Sequence, residues 1–530
     1  MLFNSYEFIF AFLPVALAGF WILGHNSRTR AFLWLTAVSL FFYAWWRPVN
    51  VLQIAPSILI NFGLARLLER DRETNPARAR LALIAGIVFN LCFLGFFKYT
   101  MFLGQASNDL FGTDFVLTQI ILPLGISFIT FQKIAFLVDV HAGRVSAFSI
   151  RDYALFVLFF PQLIAGPIVH YREMMPQFRT VSTRFDAENA AVGLSLFFMG
   201  LAKKLVLADP MALIVSPLYA RAATGEALGL ADGWIAALGF TLQIYFDFSG
   251  YSDMALGLAR LFGIKLPANF NSPLQATSII EFWQRWHISL TRFLTAYVYN
   301  PLSLRLTRAR MAAGQSGFGG RDTTTGAFAV LLLFPTMVTM LVSGVWHGAG
   351  YTYIVWGLMH GTLIAINHGW RVLKPRVWPG AKNHPKLMAA VGFILTFLSV
   401  VFAMAVFRSP TLGGAMSIWS DMTGYHGVAF PEALLVRLGV HPDTGDGTGT
   451  AAAILHLALL LPIALLLPNT LQLLGSFEPA LGVKPARQEP FLIRHLGWSF
   501  SPPWAVGMAA VAMAGVLSLG QFSEFLYWQF

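Results

Sequence analysis

Three histidines lie in or next to apolar segments, where an imidazole is unusual. His347 ends an uncharged apolar stretch, His360 follows thirteen residues later within the next one, and His287 stands among aromatic and charged residues. Hydrocarbon solvates an imidazole poorly, so a histidine beside an apolar span is a candidate functional residue. A neutral imidazole at His347 could take a proton from a hydroxyl whose oxygen attacks a carbonyl. These residues therefore indicate buried acid–base chemistry, although a packing histidine at His347 is an equally good interpretation of the residues alone.

The segment 281–298 predicts one amphipathic helix that positions His287. At 100° per residue, Trp283 and His287 share a face, while Arg285 lies opposite. The histidine should then point to the buried side. The alternative is a helix on the lipid surface whose histidine only bonds a backbone carbonyl, because most such helices are anchors.

Neighbouring residues of that segment have predicted roles as well. Trp283 and Trp286 suit the lipid headgroup level. Glu281 and Arg285 are spaced to form an i,i+4 ion pair. His360 is predicted either to support the reacting histidine or to form a helix–helix hydrogen bond, and the structural role is favoured.

Hydroxyls and carboxylates crowd the sequence Tyr245-Phe-Asp-Phe-Ser-Gly-Tyr-Ser-Asp253 at the end of an apolar segment. It is predicted either to line a polar entrance or bind a cation, or to cap the carbonyls of a helix end. The sequence contains no nucleophile elbow, P-loop or zinc-ligand spacing, so it lacks the signatures of serine hydrolases, nucleotide hydrolases and metalloenzymes.

The composition is that of a polytopic membrane protein. The chain has 530 residues, of which 56% are hydrophobic and only 12% charged, and its mean hydropathy is +0.63. The net charge of +11 comes mainly from short loops between apolar segments, so it indicates membrane topology and no nucleic-acid partner. The single cysteine, Cys92, excludes an intrachain disulfide.

About twelve apolar segments are predicted to span the membrane. Arginine-rich loops after the first and third segments are predicted to be cytoplasmic, which places the N-terminus outside. The 409–450 loop, rich in acidic residues, would then also lie outside. The predicted spans are 7–24, 31–46, 50–65, 81–97, 115–138, 189–207, 232–247, 326–346, 351–368, 387–407, 452–468 and 504–521.

The segment 152–170 is apolar but has arginines on both flanks, so both of its ends should be cytoplasmic. Pro161 and the pair Gly166-Pro167 should break a helix midway. A re-entrant hairpin satisfies both observations. The alternative is a kinked ordinary span with one crossing miscounted elsewhere.

Several long motifs resemble those of the membrane-bound O-acyltransferase family, and specifically its bacterial alginate O-acetyltransferase branch. Mild departures are Leu274, in a run where relatives usually carry a tyrosine, and His141, where a tyrosine is common. The motifs are Phe-Gln132-Lys-Ile-Ala-Phe-Leu-Val-Asp139-Val, Pro161-Gln-Leu-Ile-Ala-Gly166-Pro167, the Tyr245–Asp253 run, Glu281-Phe-Trp-Gln-Arg-Trp-His287-Ile-Ser-Leu290 and Gly344-Val-Trp-His347-Gly348-Ala.

The resemblance implies an all-α fold wrapped around a tunnel, with re-entrant segments, in the bacterial inner membrane. It covers residues 1–410, taken as the O-acyltransferase core; 411–530, an outer loop plus C-terminal spans of the same membrane body, match less specifically. It implies that His347 is catalytic and that His287 is the second polar residue of the site.

For the reaction, the resemblance implies acetyl-CoA as the acyl donor and a polysaccharide such as alginate as the acceptor. A periplasmic esterase-like transferase is expected to complete the relay. The residues predicted to bind the donor are Arg285, Trp283, Trp286 and Asp253, because arginines suit its phosphates. The alternatives are a polytopic transporter, since transporters also contain intramembrane histidines and broken helices, and a non-catalytic scaffold of an exopolysaccharide export complex.

Overall fold

The computed structural model describes residues 1–115, 120–315, 317, 324–378, 380, 384–427, 447–484, 491–521 and 526. Within these ranges every regular element is a helix, as predicted. Helices satisfy their backbone hydrogen bonds internally, which is what long apolar segments require in lipid. Residues 428–446 of the predicted 409–450 loop lie outside the described residues, and the first part of the loop contains a helix, Leu412–Met422.

The first part of the chain, residues 1–261, contains helices of very different lengths. Two of them, Phe8–Phe12 and Lys203–Ala208, are π-helical turns continuous with their neighbours. The others are Leu13–Asn26, Arg28–Ala44, Val49–Thr74, Pro76–Phe111, Ile126–His141, Ile150–Leu158, Phe160–Leu163, Tyr171–Thr180, Ala187–Ala202, Asp209–Ala223 and Leu230–Leu261.

The second part carries the three histidines of interest. Its helices are Pro273–Gln275, Ile279–Arg285, Ile288–Leu294, Thr295–Tyr299, Asn300–Ala312, Thr325–Phe328, Ala329–Leu333, Phe334–His347, Tyr351–Val377, Pro385–Arg408, Leu412–Met422, Gly447–Leu466, Thr470–Leu473, Gly475–Phe477, Phe491–Leu496 and Pro502–Leu517.

Each of the twelve predicted spans overlaps a helix, and among the described residues six helical stretches are long and apolar enough to cross a membrane. This confirms the prediction of a polytopic membrane protein, while the number of crossings and the central tunnel stay predictions. The six stretches are Phe8–Asn26, Val49–Thr74, Pro76–Phe111, Ala187–Ala223, Thr325–His347 and Pro385–Arg408.

The predicted break in the segment 152–170 is confirmed. The helix Ile150–Leu158 ends at Phe159, and Pro161 lies in the first turn of the four-residue helix that follows. At about 1.5 Å per residue, neither helix approaches the roughly 30 Å of a hydrocarbon core. Re-entrance itself stays a prediction, because it depends on the position of the membrane.

The chain packs as two compact units, each made of segments that are distant in sequence. The first comprises 1–202, 250–268 and 470–521, and the second comprises 203–249, 269–469 and 522–530. The first unit has a phenylalanine-rich core in which Phe8 and Phe160 lie 6.1 Å apart. The division of the chain at residue 410 into an acyltransferase core and a C-terminal part stays a prediction.

The interpretation of Tyr245–Asp253 as the cap of a helix end is wrong, because the helix Leu230–Leu261 continues past it. Inside the second unit, Asp247 instead forms an ion pair with Lys204 at 2.5 Å, and Lys204 also contacts Asp209 at 2.6 Å. All three side chains are buried. Two carboxylates therefore share one ammonium group in the protein interior.

Candidate active site

Two helices of the second unit, Phe334–His347 and Tyr351–Val377, form a close hairpin, called the histidine hairpin below. A Cβ atom placed on Gly344 would lie only 2.2 Å from the carbonyl oxygen of Tyr353, and one on Gly357 only 2.4 Å from that of Met340. Glycine at both positions lets the two backbones touch. The hairpin therefore fixes the end of its first helix, where His347 is the last residue.

His347 is held in one tautomer by its own helix. Its Nδ1 atom lies 2.6 Å from the carbonyl oxygen of Ser343, four residues earlier. A carbonyl oxygen only accepts hydrogen bonds, so Nδ1 must carry the hydrogen and Nε2 the basic lone pair. His347 is buried, and its orientation is therefore that of a general base acting through Nε2.

The prediction of a single helix over 281–298 is wrong, because the helix is interrupted at His287. One helix, Ile279–Arg285, ends before His287, and the next, Ile288–Leu294, begins after it. His287 itself has φ of 43° and ψ of 53°. That left-handed conformation costs a non-glycine residue roughly 1–3 kcal/mol. We call these two helices with His287 the broken helix.

Bonds to a neighbouring extended segment explain the break. The backbone amide of Ile288 donates to the carbonyl oxygen of Asn269 at 2.9 Å instead of to a preceding helical carbonyl. The amide of Asn271 donates to the Arg285 carbonyl at 3.0 Å, and the Ser289 hydroxyl donates to the Asn269 side chain at 2.6 Å. These bonds compensate for the helical ones and hold His287 in its strained conformation.

The prediction that His287 points to the buried side is confirmed, since its side chain is fully buried. Its ring centroid lies 4.7 Å from that of Phe248, 5.8 Å from that of Trp346 and 6.1 Å from that of His347. Burial lowers the pKa of His287 well below its usual range, and the nearby His347 lowers it further. His287 is therefore neutral near pH 7 and can act as a hydrogen-bond donor without carrying charge.

Both imidazoles line a narrow cavity of about 20 Å³. This is room for about one water-sized group. The cavity thus brings together two polar rings inside an apolar wall, where hydrogen bonds to developing charge are strong. It is lined by Ile244, Phe248, Trp286, His287, His347, Trp356, Met404 and Phe407.

His360 forms the helix–helix hydrogen bond that the sequence favoured. Trp283 donates its Nε1 hydrogen to His360 Nδ1 at 3.3 Å and so ties the broken helix to the histidine hairpin. Trp356 lies between the histidines, with ring centroids 4.9 Å from His347 and 4.8 Å from His360. The role of Trp356 had no sequence signal, because tryptophan in an apolar span looks like any core residue.

Trp283 and Trp286, predicted to suit the headgroup level, are covered by protein, and their depth in the membrane stays a prediction. Their exposed fractions are 6% and 3%, because both pack inside the second unit. Trp286 lines the narrow cavity together with both histidines. Trp283 lines a second, larger cavity of about 430 Å³, together with Thr291, Met340 and Arg371.

The charged residues predicted to bind a donor lie elsewhere. Arg285 forms the predicted ion pair with Glu281 at 2.6 Å and lines neither cavity. Asp253 belongs to the first unit, where it accepts a hydrogen bond from Thr470 at 2.8 Å. The cation that does line the larger cavity is Arg371. The predicted roles of Arg285 and Asp253 in donor binding stay predictions.

Comparison with known proteins identifies the family. The sequence model of the membrane-bound O-acyltransferase family matches residues 141–314. A peptidoglycan O-acetyltransferase of Helicobacter pylori is 38% identical over 457 residues, which cover 81% of each chain. The probable alginate O-acetylase AlgI of Pseudomonas aeruginosa is 37% identical over 80% of this chain and 75% of its own. A teichoic acid D-alanyltransferase of Streptococcus thermophilus is 30% identical over 54% of this chain and 68% of its own. The chain therefore belongs to the membrane-bound O-acyltransferase family and is a multi-pass membrane O-acyltransferase.

Proposed function

We propose that this protein moves an acetyl group from a cytoplasmic thioester, acetyl-CoA, to the outer side of a bacterial inner membrane for O-acetylation of an exported polysaccharide. The observation that carries the proposal is His347, whose Nδ1 hydrogen is fixed on the Ser343 carbonyl at 2.6 Å beside the buried His287. The relatives aligned over about four fifths of this chain bear names of acetyl-transferring proteins, whereas the D-alanyl-transferring relative aligns over 54%.

In the proposed reaction, His347 Nε2 takes the proton of the attacking hydroxyl as its oxygen bonds to the thioester carbon. Neutral His287 donates a hydrogen bond to the carbonyl oxygen, on which negative charge develops. The carbon–sulfur bond then breaks, and the CoA thiolate leaves and receives the proton held by His347. The products are the acetyl ester and free CoA, so atoms and charge balance.

The larger cavity supports the proposal that the arm of acetyl-CoA approaches His347 from this side. Its wall contains Trp283, whose hydrogen bond to His360 leads to the ring of Trp356 and on to His347. The volume of about 430 Å³ falls in the usual range for small-molecule sites. Arg371 supplies a guanidinium at this cavity, which is a preferred partner of phosphate groups.

The narrowness of the inner cavity bears on the acceptor. The cavity lined by the two imidazoles, at about 20 Å³, is too small for a sugar ring. A hydroxyl at the end of a single amino-acid side chain fits this geometry better than a polymer does. We therefore propose that a periplasmic esterase-like transferase passes the acetyl group from this protein to an exported polysaccharide such as alginate.

The test is the amount of ester-linked acetyl on surface polysaccharide in cells that carry wild type, His347→Ala or His287→Ala at matched membrane levels. We expect loss of acetyl with unchanged polymer in both variants. The matched control is His456→Ala, because His456 makes the same Nδ1-to-carbonyl contact, with Ala452 at 2.8 Å, but is only partly buried and lines neither cavity.

Unchanged acetyl in both variants would overturn the proposal and favour the transporter or the scaffold. A second measurement distinguishes these two alternatives. A transporter moves labelled substrate without making an ester, and a scaffold supports transfer even when both histidines are lost.

A further inference from the structure

A basic pocket in the first unit has no role in the chemistry proposed above. It has a volume of about 240 Å³ and lies among three helices, Arg28–Ala44, Ile150–Leu158 and Tyr171–Thr180. Three guanidinium groups and one carboxylate line it, which leaves two positive charges at neutral pH. The residues that carry these charges are Arg28, Arg151, Arg179 and Asp152.

The arginines of this pocket are only partly engaged by the protein. Arg28 donates to the carbonyl oxygens of Phe178 and Val181, which orients it but leaves its charge uncompensated. Arg179 reaches Asp152 only at 3.8 Å, with more than half of its side chain exposed. No carboxylate of the described residues forms an ion pair with Arg151. The pocket is therefore suited to an anion.

The rest of the pocket wall is apolar. Phe32 and Phe178 lie edge to face with their centroids 5.6 Å apart, and Leu155 is buried beneath them. Leu33, five residues after Arg28 in the same helix, is 49% exposed. Contact with these apolar side chains does not stabilise a bound inorganic anion, whereas it does stabilise a bound acyl chain.

The pocket also lies at the end of an apolar span. The span Phe8–Asn26 ends two residues before Arg28, and the ends of a span lie near the lipid headgroups. The sequence predicts a cytoplasmic location for both arginine-bearing loops on independent grounds. Basic pockets between helices on that side are suited to anionic lipid headgroups.

We propose that this pocket binds one anionic phospholipid. Its phosphate lies among Arg28, Arg151 and Arg179, and an acyl chain runs along Phe32 and Leu33 toward the bilayer. The volume accommodates the phosphate and its glycerol but not two acyl chains, which remain in the membrane. This inference does not depend on the proposed acetyl transfer.

The experiment measures lipid retention by native mass spectrometry on the full-length protein, purified with phosphatidylglycerol and phosphatidylcholine in equal amounts. We expect one retained phosphatidylglycerol for wild type. The variant Arg151→Gln/Arg179→Gln should bind it roughly tenfold to thirtyfold more weakly, since each basic residue near an anionic lipid surface contributes about fivefold. The variant Arg151→Lys/Arg179→Lys should keep most of the binding and shows whether the double change is tolerated by the fold.

The matched control is Arg80→Gln/Arg184→Gln, which removes the same charge from exposed positions of the same unit. Equal losses in the control and the pocket variant would overturn the proposal in favour of a general surface attraction. Displacement of the lipid by millimolar inorganic phosphate, with no effect of Leu33→Asn on lipid binding, would also overturn it and identify a free-anion site. Retention of lipid in the control, with loss in the pocket variant and in Leu33→Asn, would establish the lipid site.

Discussion

Replacing His347 with asparagine separates the role of the imidazole as a base from its role in holding the helix end. The asparagine amide nitrogen occupies about the position of Nδ1 and can still donate to the Ser343 carbonyl, which now lies 2.6 Å from the ring. The asparagine has no basic nitrogen at the position of Nε2. His347→Asn therefore keeps the local hydrogen bond and removes only the base, whereas His347→Gln and His347→Ala lose that bond as well.

The expected magnitude follows from these two contributions. A positioned general base accelerates a reaction roughly 10²- to 10⁴-fold, which corresponds to about 3–5 kcal/mol in the activation barrier. The hydrogen bond to Ser343 contributes about 1 kcal/mol to the free energy of unfolding. We therefore expect His347→Asn to lose that factor in turnover at nearly unchanged stability. His347→Ala should lose the same factor in turnover and, in addition, measurable stability.

The assay is the release of free CoA from acetyl-CoA by purified protein in nanodiscs, with membrane-extracted polysaccharide and its periplasmic fraction supplied. Thermal unfolding of the same samples reports stability. His456→Asn is the control, because that partly buried residue makes the same type of contact, with Ala452, away from both cavities, and should keep full turnover. If His347→Asn retains turnover within about threefold of wild type, the assignment of His347 as the base is refuted.

Four further substitutions test the packing that positions the site. Lys204→Met should destabilise the protein by about 3–5 kcal/mol, because it leaves two buried carboxylates uncompensated. Asp247→Asn should cost much less, and equal unfolding midpoints for the two would contradict this. Gly344→Ala should lower stability by about 1–3 kcal/mol despite the better helix propensity of alanine, since the added Cβ would meet a backbone oxygen at 2.2 Å. Trp283→Phe should cost about 1–3 kcal/mol by removing the donor to buried His360, as measured by thermal unfolding. An unfolding midpoint equal to that of wild type would show that the hydrogen bond from Trp283 to His360 does not stabilise the protein.

The sequence predicted the helical membrane fold because hydropathy in twenty-residue windows is a local property. It also predicted the break near Pro161, since proline acts on its own turn of helix. It did not predict the break at His287. No proline or glycine lies in the segment 281–298, and the break depends on bonds to Asn269, eighteen residues earlier. Periodicity carries no information about such a partner.

The difference between local sequence properties and distant partners also explains what the sequence missed at the tryptophans and the polar run. Trp283 looks like an interface anchor when its only known neighbours are Glu281 and Arg285. Its burial follows from a hydrogen bond to His360, seventy-seven residues away. The polar run at Asp247 looks like a helix end until its carboxylate is paired with Lys204 at 2.5 Å.

Both histidines lie where a helix stops, and this has a physical reason. Side chains along the interior of a buried helix pack into the grooves of neighbouring helices, which covers them. His347 is the last residue of its helix, and His287 is the left-handed residue between two helices. The conformation of His287 costs roughly 1–3 kcal/mol, yet glycine at this position would remove the imidazole as well as the strain. Asn269, which holds His287 in place through Ile288 and Ser289, is therefore part of the apparatus that keeps the two imidazoles facing one cavity.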